Sequence, residues 1–332
     1  MKRLTSSVAI AVYNSERFLS QQLESMARQT RLPDEVVFCD NNSNDRTVEI
    51  LYDWKSKVPF DVRIYRNEEN IGCTRNFDRV LALPSKEIVI VADSDDIWKE
   101  NRVERVMDIF EQNLEVGVLT SNAELVDGEG VFQNMLLDEY LRRMHIREFW
   151  SHFYPDGHTM KFWTGCTMSV RKSILDKILP VPANINCHDI WIYLLAPLFA
   201  RAYYLDESLI QYRLHGSNFS TAPTVEHLRA NPPRWRYFST MIHTLGEHPD
   251  LLDTLIRRVE TCDAPDLAKQ KFARKLRNQK RHFQARERIE RNVFSNLSTL
   301  LYEIISPTGY FAHPQRLCSI AYDVCRGLGV LR

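Results

Sequence analysis

Short apolar runs alternate with amphipathic segments through the first hundred residues of the chain. The apolar runs are rich in β-branched residues and predict buried strands at residues 7–12, 35–39, 62–65 and 88–92. The segments between them carry apolar side chains at helical spacing and predict helices at residues 16–28, 45–54 and 74–83. Strands that alternate with helices are typical of an α/β sandwich around a largely parallel sheet. The pattern therefore predicts the α/β class for this part of the chain.

The pattern changes after about residue 225. Residues 231–233, Asn-Pro-Pro, interrupt any regular element, and ten basic side chains then crowd residues 269–291. Apolar side chains recur at helical spacing through this basic segment and beyond it, and a last helix is expected at about residues 314–327. The two predicted regions are an α/β domain at residues 1–225 and a helical carboxyl-terminal region at residues 226–332.

Composition limits the classes of protein that fit. The 332 residues carry a formal net charge of zero, so no overall field favours nucleic acid. The seven cysteines are scattered and form no Cys-x-x-Cys pair, which argues against a disulfide framework and favours a reducing, cytoplasmic compartment. The apolar run that ends at Val12 is too short for a signal-peptide core. The longest apolar stretch, residues 190–205, is broken by Pro197 and Arg201 and predicts a buried helix.

Three carboxylates follow the fourth predicted strand, at Asp93, Asp95 and Asp96. Open α/β sheets bind ligands at the carboxyl ends of their strands, and carboxylate oxygens suit a hard divalent cation that holds nucleotide phosphates. In the alternative interpretation these acids belong to a polar loop and help to cap the next helix. In either interpretation Asp96 is expected to cap a helix that begins near Ile97. The first strand–helix turn, residues 12–16, has no glycine-rich phosphate loop, which disfavours dinucleotide-dependent redox enzymes and P-loop NTPases.

Five segments of the chain, in order, resemble those of the inverting family-2 glycosyltransferases with the GT-A fold. The similarity is greatest to the bacterial branch often described as rhamnosyltransferase-like. The segments are Val12-Tyr13-Asn14, residues 40–45 (Asp-Asn-Asn-Ser-Asn-Asp), residues 70–77 (Asn-Ile-Gly-Cys-Thr-Arg-Asn-Phe), residues 93–98 (Asp-Ser-Asp-Asp-Ile-Trp), and a late group at 164–166, 188–191 and 212–218. Each segment alone is weak, but five in this order and spacing, over residues 6–222, are specific.

The resemblance implies an activity. Such an enzyme transfers a sugar from a nucleotide-diphosphate donor to a hydroxyl of a glycan or lipid-linked glycan acceptor. The expected setting is bacterial surface polysaccharide synthesis, such as that of O-antigen. The expected architecture is a GT-A α/β/α sandwich with a helical carboxyl-terminal extension.

The resemblance also implies roles on the donor side. Asp95 matches the family's metal-binding aspartate and His215 a position that adds a metal or phosphate contact, so Mn²⁺ or Mg²⁺ is the expected cofactor. The residues implied in nucleotide-sugar binding are Ala11, Tyr13, Asp40, Asn41, Arg75, Asp93 and Ser94, of which Asp93 and Ser94 would lie against the ribose. Two alternatives stay open: His215 is a loop histidine without a ligand, or Arg75 is a solvated helix residue.

On the acceptor side, Asp189 matches the family's catalytic aspartate. Inversion needs one base that takes the proton of the acceptor hydroxyl as it attacks the anomeric carbon. Asp189 also precedes an apolar segment, so it can serve as a helix-capping acid, and the two roles are compatible. His188 orients this base or fills space near the acceptor. Trp163 and Trp191 either stack on the acceptor sugar or fill the core.

Two asparagines depart from the family's pattern after the second strand. Asn42 stands where many relatives have glycine, and asparagine tolerates a positive φ better than most residues. Asn41 replaces a carboxylate that contacts the pyrimidine in relatives, although an amide can still donate and accept. The expected donor is a pyrimidine nucleotide sugar, with dTDP-rhamnose first and a UDP-sugar second.

Rival interpretations remain for the function and for the basic helical region. A sugar nucleotidyltransferase also combines an α/β sheet with acidic metal ligands, but it would have a glycine-rich amino-terminal phosphate loop. A non-catalytic assembly protein could keep the same fold, against which the set of Asp95, Asp189 and His215 argues. The ten basic residues at 269–291 predict attachment to an anionic membrane surface. Alternatively, the helices pack on the rest of the chain or form a homodimer.

Overall fold

The computed structural model describes residues 3–143, 164–185, 188–216, 218, 225–226, 249–291 and 296–305. The chain forms two compact units. One comprises Met1–Tyr140 and Gly157–Arg229, and the other comprises Leu141–Asp156 and Ala230–Arg332. The predicted interruption at residues 231–233 and the predicted helix at residues 314–327 lie outside the described residues.

The first unit begins with the predicted alternation of strands and helices. The strands are β1 (Ser6–Val12), β2 (Glu35–Asp40), β3 (Asp61–Arg66) and β4 (Ile88–Ala92), and the helices between them are α1 (Glu16–Ala27), α2 (Thr47–Lys55) and α3 (Cys73–Ala82). Every one of these seven predictions is confirmed, with boundaries within two residues. The β-branched runs are buried on both faces, as expected of central strands in a parallel sheet.

The later strands extend this sheet. They are β5 (Ile97–Trp98), β6 (Val116–Val126), β7 (Phe132–Leu136), β8 (Met168–Arg171) and β9 (Arg201–Arg213). The helices are α4 (Arg102–Gln112), α5 (Leu137–Arg143), α6 (Lys172–Ile178) and α7 (His188–Leu195). The sheet order is β3-β2-β1-β4-β8-β6-β9-β5, with β7 paired to β6. The α/β class is therefore confirmed.

The direction of the strands brings three loops to one edge of the sheet. β1 runs parallel to both β2 and β4, so the carboxyl ends of these strands lie side by side. β8 then runs antiparallel to both β4 and β6, and it pairs with β4 only through Ile88, Val89 and Ile90. Beyond Ile90 the two strands are no longer joined by this ladder.

The apolar stretch at residues 190–205 does not form the single buried helix that we predicted. Helix α7 ends at Leu195, a 3-10 turn follows at Ala196–Leu198, and β9 begins at Arg201. Pro197 explains the break, because proline cannot donate the hydrogen bond that would continue the helix. Among the residues that the structure describes, we find no helix with the length and apolar content required to cross a bilayer.

The expectation that Asp96 caps a helix near Ile97 is also wrong. Ile97 and Trp98 form the short strand β5, which pairs antiparallel with β9, and α4 begins only at Arg102. The Oδ1 atom of Asp96 instead accepts the backbone N–H of Arg213, 3.1 Å away. This acid therefore joins two distant parts of the chain.

Three described helices belong to the second unit. They are α8 (Pro249–Thr261), α9 (Asp266–Arg291) and α10 (Leu297–Ile305). α9 contains the predicted basic helix, and it packs against both α8 and α10. Its apolar side chains Phe272, Leu276 and Phe283 are buried. The apolar side chains of α9 therefore pack against neighbouring helices, as the packing alternative expects.

Candidate active site

The loops after β1, β2 and β4 are tied together by short hydrogen bonds. The backbone N–H of Asn14 donates to Ser43 Oγ at 2.9 Å, and the hydroxyls of Ser15 and Ser94 lie 2.7 Å apart. Asn14 and Asn42 have φ angles of 47° and 63°, so the predicted tolerance of Asn42 for a positive φ is used. The result is one continuous surface at the carboxyl edge of the sheet.

Carboxylates crowd this surface. Ligand atoms of Asp93, Asp96 and Cys166 all lie within 4.8 Å of one another. Burial raises the pKa of Asp93 well above its usual value, and the nearby charges of Asp96, Asp95 and Asp189 add to the rise. Burial and then the charge of Asp95 raise the pKa of Asp96 to about 7. The acids predicted from two distant segments are therefore close in space.

The two predicted metal ligands are in direct contact. His215 Nε2 lies 2.9 Å from Asp95 Oδ2. Two ligands at right angles on an octahedral Mg²⁺ or Mn²⁺ ion, each about 2.1 Å from the metal, would be about 3.0 Å apart. Their spacing therefore suits two ligands of one ion. The ring of His215 also packs at 4.5 Å against Phe18, which limits its rotation.

Arg213 anchors the loop that carries Asp95. Its Nε donates to the carbonyl of Asp95 at 2.7 Å, and its Nη2 donates to Gln21 Oε1 at 2.5 Å. Its Nη1 donates to the carbonyl of Gly128 at 2.9 Å, and its guanidinium lies over the ring of Phe18. One buried arginine thus connects β9 with the acidic loop, with α1 and with the turn after β6.

The predicted base, Asp189, lies in the first turn of α7. Its carboxylate accepts the backbone N–H groups of Ile190 and Gly165, and burial raises its pKa to about 7. Asp189 and Asp93 both raise the pKa of Cys73, after the larger effect of burial, to about 12. Both carboxylates are therefore close to the same thiol, at the start of α3.

His188 is a neutral, tightly packed neighbour of this base. Its ring stacks on Phe77 with the centroids 3.7 Å apart and the planes 14° apart. A Cβ added to Gly165 would come 2.8 Å from His188 Nε2. Burial lowers the pKa of His188 to about 3, so the ring carries no charge at neutral pH. A role for His188 in orienting Asp189 stays a prediction.

The side chain of Asn41 is bound within the protein. Its Oδ1 accepts from Asn67 Nδ2 and from the backbone N–H of Ile71, both at 2.9 Å, and its Nδ2 donates to Asn70 Oδ1 at 2.7 Å. Asp40 is fully buried and accepts from the Ser43 backbone N–H and hydroxyl. Both residues shape the loop after β2, and a contact of either with a base stays a prediction.

The remaining predicted residues differ in exposure. Tyr13 and Arg75 are exposed, and Ala11 is half-buried at the end of β1. Trp191 is only 1% exposed, and its indole N–H donates to the carbonyl of Ile178 at 2.8 Å. It therefore fills the core, and we do not include it in an acceptor site. Trp163 lies outside the described residues.

Sequence reasoning missed Arg102, which lies beneath the acidic cluster. Its Nη2 donates to the carbonyls of Val91 and Cys166, and its guanidinium stacks 4.0 Å above the ring of Trp98. One signal was available in the sequence. Arg102 occupies a position on the apolar face of α4, in line with the buried Val106. A charged residue there has a buried partner or a function.

Comparisons with known proteins agree with this geometry. Residues 7–179 match the model of the family described as glycosyl transferase family 2. An uncharacterized glycosyltransferase of Nostoc sp. is 26% identical over 222 residues, which are 64% of this chain and 65% of that protein, just under two thirds of its length. The dTDP-rhamnosyl transferase RfbG of Shigella flexneri is 23% identical over 221 residues, covering 63% of this chain and 72% of RfbG.

The fold itself is similar to that of a solved structure. S. aureus TarS, residues 1–349, in complex with UDP, superposes with a TM-score of 0.58 at 17% identity, covering 98% of this chain and 89% of TarS. The GT-A fold and the acid-rich edge of the sheet thus accompany a family match over more than half of the residues. The chain belongs to glycosyl transferase family 2.

Proposed function

We propose that this protein is an inverting, metal-dependent glycosyltransferase that moves a sugar from a nucleotide-diphosphate donor to a hydroxyl of a glycan or lipid-linked glycan. One observation carries the proposal. The Asp95–His215 pair and the buried carboxylate of Asp189 meet at one edge of the sheet. Asp93 lies near both, because the charges of Asp95 and Asp189 each add to the effect of burial in raising its pKa. A cation site and a single base at the same edge of the sheet are the two parts that inverting transfer requires.

Asp95 and His215 are the residues that would hold Mn²⁺ or Mg²⁺. The 2.9 Å spacing of their ligand atoms suits one ion, and a carboxylate oxygen is a ligand that suits both Mn²⁺ and Mg²⁺. When bound, the ion supplies stabilisation of the negative charge on the departing diphosphate. Arg213 fixes the acidic loop through the Asp95 carbonyl, so the ligands need not reorganise when the ion binds.

Asp189 is the proposed general base. Its carboxylate takes the proton of the acceptor hydroxyl while that oxygen bonds to the anomeric carbon and the diphosphate leaves from the opposite side. A pKa of about 7 suits this role, because about half of the base is ionised at neutral pH and the ionised form accepts a proton readily. The two backbone N–H groups that bind the carboxylate fix its orientation, and the neutral ring of His188 adds no competing charge.

The proposed donor is a pyrimidine nucleotide sugar, with dTDP-rhamnose first and a UDP-sugar second. The similarity to RfbG, a dTDP-rhamnosyl transferase, supports the first, and the likeness to TarS with UDP is consistent with the second. A thermal-shift panel of UDP, dTDP and GDP with their sugars, with and without Mn²⁺, tests this choice. A ligand at 100 times its Kd stabilises a native protein by about 2.7 kcal/mol. Stabilisation by GDP alone would refute the pyrimidine assignment.

Two variants test the division of labour in the site. Asp95→Ala should lose the Mn²⁺-dependent part of nucleotide binding. Asp189→Asn should keep nucleotide binding and lose turnover, measured as release of nucleoside diphosphate, because only the proton acceptor has been removed. The asparagine is nearly the same size as the aspartate and serves as its own packing control. Wild-type turnover of Asp189→Asn would show that the base has been assigned wrongly.

Setting and location follow from the same proposal. A lipid-linked acceptor would place the enzyme at a membrane surface, in polysaccharide synthesis. From Lys271 to Arg291, basic side chains follow one side of α9 over about 30 Å, at 1.5 Å per residue. They are exposed at Lys271, Arg274, Arg277, Arg281, Arg288 and Arg291. Because the apolar side chains of α9 are buried between helices, this contact would be electrostatic, at about 1 kcal/mol per basic residue.

Sedimentation with anionic liposomes tests the membrane contact. We expect the protein to sediment with them at low salt and to be released at high salt, since charge is its main source of affinity. Liposomes of neutral lipid are the control. Absence of binding at low salt would refute the membrane contact and leave only the packing of α9 with α8 and α10. Sedimentation equilibrium of the lipid-free protein tests the homodimer.

A further inference from the structure

The sheet opens next to the proposed active site. β4 and β8 are hydrogen-bonded from Ile88 to Ile90, and there the ladder stops. On one side the chain continues to Asp93 and Asp95. On the other side lies the 3-10 turn Gly165–Thr167, which precedes β8. The distance across this opening sets how far the metal ligands lie from the residues that hold the base.

A single side chain spans the opening. Nη2 of Arg102 donates to the carbonyl of Val91 at 3.1 Å and to the carbonyl of Cys166 at 2.6 Å. The guanidinium thus replaces the strand-to-strand hydrogen bonds that end at Ile90. It is 1% exposed and stacks at 4.0 Å on the ring of Trp98, which limits its freedom to move.

The two carbonyls that Arg102 binds are close along the chain to residues of the proposed active site. Val91 is two residues before Asp93, on a strand whose backbone is fully paired with β1. Cys166 follows Gly165, whose backbone N–H is bound by the Asp189 carboxylate. A change at Arg102 can therefore alter the position of the base relative to the acidic loop without touching either.

Arg102 also neutralises part of the charge that the acids bring into the interior. It lies close enough to Asp96 and Asp93 for their charges to raise its pKa, although burial outweighs them and lowers it to about 10. Arginine therefore stays protonated here at neutral pH. A cation in the gap between Asp93, Asp96 and Cys166 would be repelled by this guanidinium, which favours Asp95 and His215 as the metal ligands.

We infer that Arg102 is a positioning residue for glycosyl transfer: it bridges the open end of the β4–β8 ladder and so fixes the distance between the donor side, at Asp93 and Asp95, and the base side, at Gly165 and Asp189. This inference rests on the proposed function.

Three variants test it. Arg102→Met removes the donors and the charge but keeps an unbranched side chain. Arg102→Lys keeps a cation and its N–H donors on a side chain that is one atom shorter. Arg105→Met is the matched control, since Arg105 is on the same helix and pairs with Glu207, away from the site. Turnover is measured as release of the nucleoside diphosphate from the nucleotide sugar that stabilises the wild type, with water as the acceptor.

A displacement of about 1 Å in an active site can lower turnover about 100-fold, and we expect a loss of that order in Arg102→Met. The Kd for the nucleoside diphosphate with Mn²⁺ should change less than about threefold, because the donor side keeps its own contacts. Arg102→Lys should recover about tenfold of the loss and stay about tenfold below the wild type, and Arg105→Met should equal the wild type. Should Arg102→Met fail to fold, Arg102→Lys decides, with a reduced kcat at an unchanged Kd expected.

Hydrogen exchange measured without any nucleotide separates this inference from the proposed function. Arg102→Met should lose protection at residues 164–170, while helix α4 outside the substitution keeps it. If the wild type releases no diphosphate from any nucleotide sugar, the proposed function fails and the exchange result still reports the bridge. Wild-type kcat in Arg102→Lys or Arg102→Met, a parallel loss of kcat and nucleotide binding, or unchanged exchange would each overturn the inference.

Discussion

The replacement Gly165→Ala tests how tightly the proposed base is held. The new methyl group would lie 2.8 Å from His188 Nε2, 3.2 Å from His188 Cε1 and 3.6 Å from the Cβ of Asp189. Non-bonded heavy atoms approach best at about 3.5–4.0 Å, so the nearest contact must open by roughly 0.7 Å. The ring cannot retreat toward Phe77, because the two rings already stack at 3.7 Å. The start of α7, with Asp189, must therefore move.

This displacement sets the size of the expected effect. Since about 1 Å of misplacement can cost about 100-fold in rate, a shift of roughly 0.7 Å should lower turnover by about 10- to 100-fold. Overpacking also destabilises a protein by about 1–3 kcal/mol, so a lower Tm should accompany the loss. Binding of the nucleoside diphosphate with Mn²⁺ should stay near the wild-type value, because Asp95 and His215 are not displaced.

Diphosphate release and nucleotide binding, each measured well below the Tm of the variant, provide the assay. Gly216→Ala is the matched control. It adds the same methyl group beside His215, where nothing lies within 4 Å, and should leave turnover unchanged. Wild-type turnover in Gly165→Ala would refute the claim that the packing of His188 positions the base. An equal loss in both variants would point instead to a general effect of stiffening the chain near the site.

Further outcomes are expected from the charges of the site. Turnover should rise with pH through about 7, because Asp189, with its pKa raised to about 7, must lose its proton to act as base; a profile that is flat from pH 5.5 to 8.5 would contradict this. Asp189→Asn should raise the Tm at pH 8 and not at pH 4, since a buried carboxyl with a raised pKa costs stability only where it is charged. The effect is at most about 4 kcal/mol at 1.36 kcal/mol per pKa unit. His215→Ala should weaken Mn²⁺-dependent nucleotide binding more than binding without metal, in a titration of Mn²⁺ against the wild type. Replacing both Arg274 and Arg281 by Glu should abolish sedimentation with anionic liposomes while turnover on a soluble donor stays unchanged, and retained sedimentation would exclude α9 as the contact.

The spacing of apolar residues along the sequence was sufficient to predict the strands and helices of the first hundred residues. The β-branched runs and the helical spacing of residues such as Leu19 and Leu23 identified β1 to β4 and α1 to α3, because burial on the sheet dictates both periods. The apolar stretch at residues 190–205 was misread as one helix, since the pairing of β9 with β6 is set by residues about 85 positions away. Asp96 was misread for the same reason, because its partner is Arg213.

The candidate site divides in the same way. Motif matches brought forward Asp95, Asp189 and His215, and the fold gathers their side chains at one edge. No motif indicated that the side-chain amide of Asn41 would form its hydrogen bonds within the protein, to Asn67, Asn70 and Ile71. Nor did any motif indicate that a second buried arginine, Arg102, would bridge two backbone carbonyls. Such contacts depend on which carbonyls are left unpaired after the strands have assembled, and that is a property of the whole sheet.

The position of β9 has a consequence for any attempt to express part of this protein. The family match ends at residue 179, but β9 (Arg201–Arg213) lies between β6 and β5 and is hydrogen-bonded to both. A chain cut at residue 179 would expose the long, apolar edge of β6 and leave β5 without a neighbour. Unpaired apolar edges associate with one another. The shortest fragment that stays dispersed should therefore extend past residue 213, well beyond the limit that sequence similarity suggests.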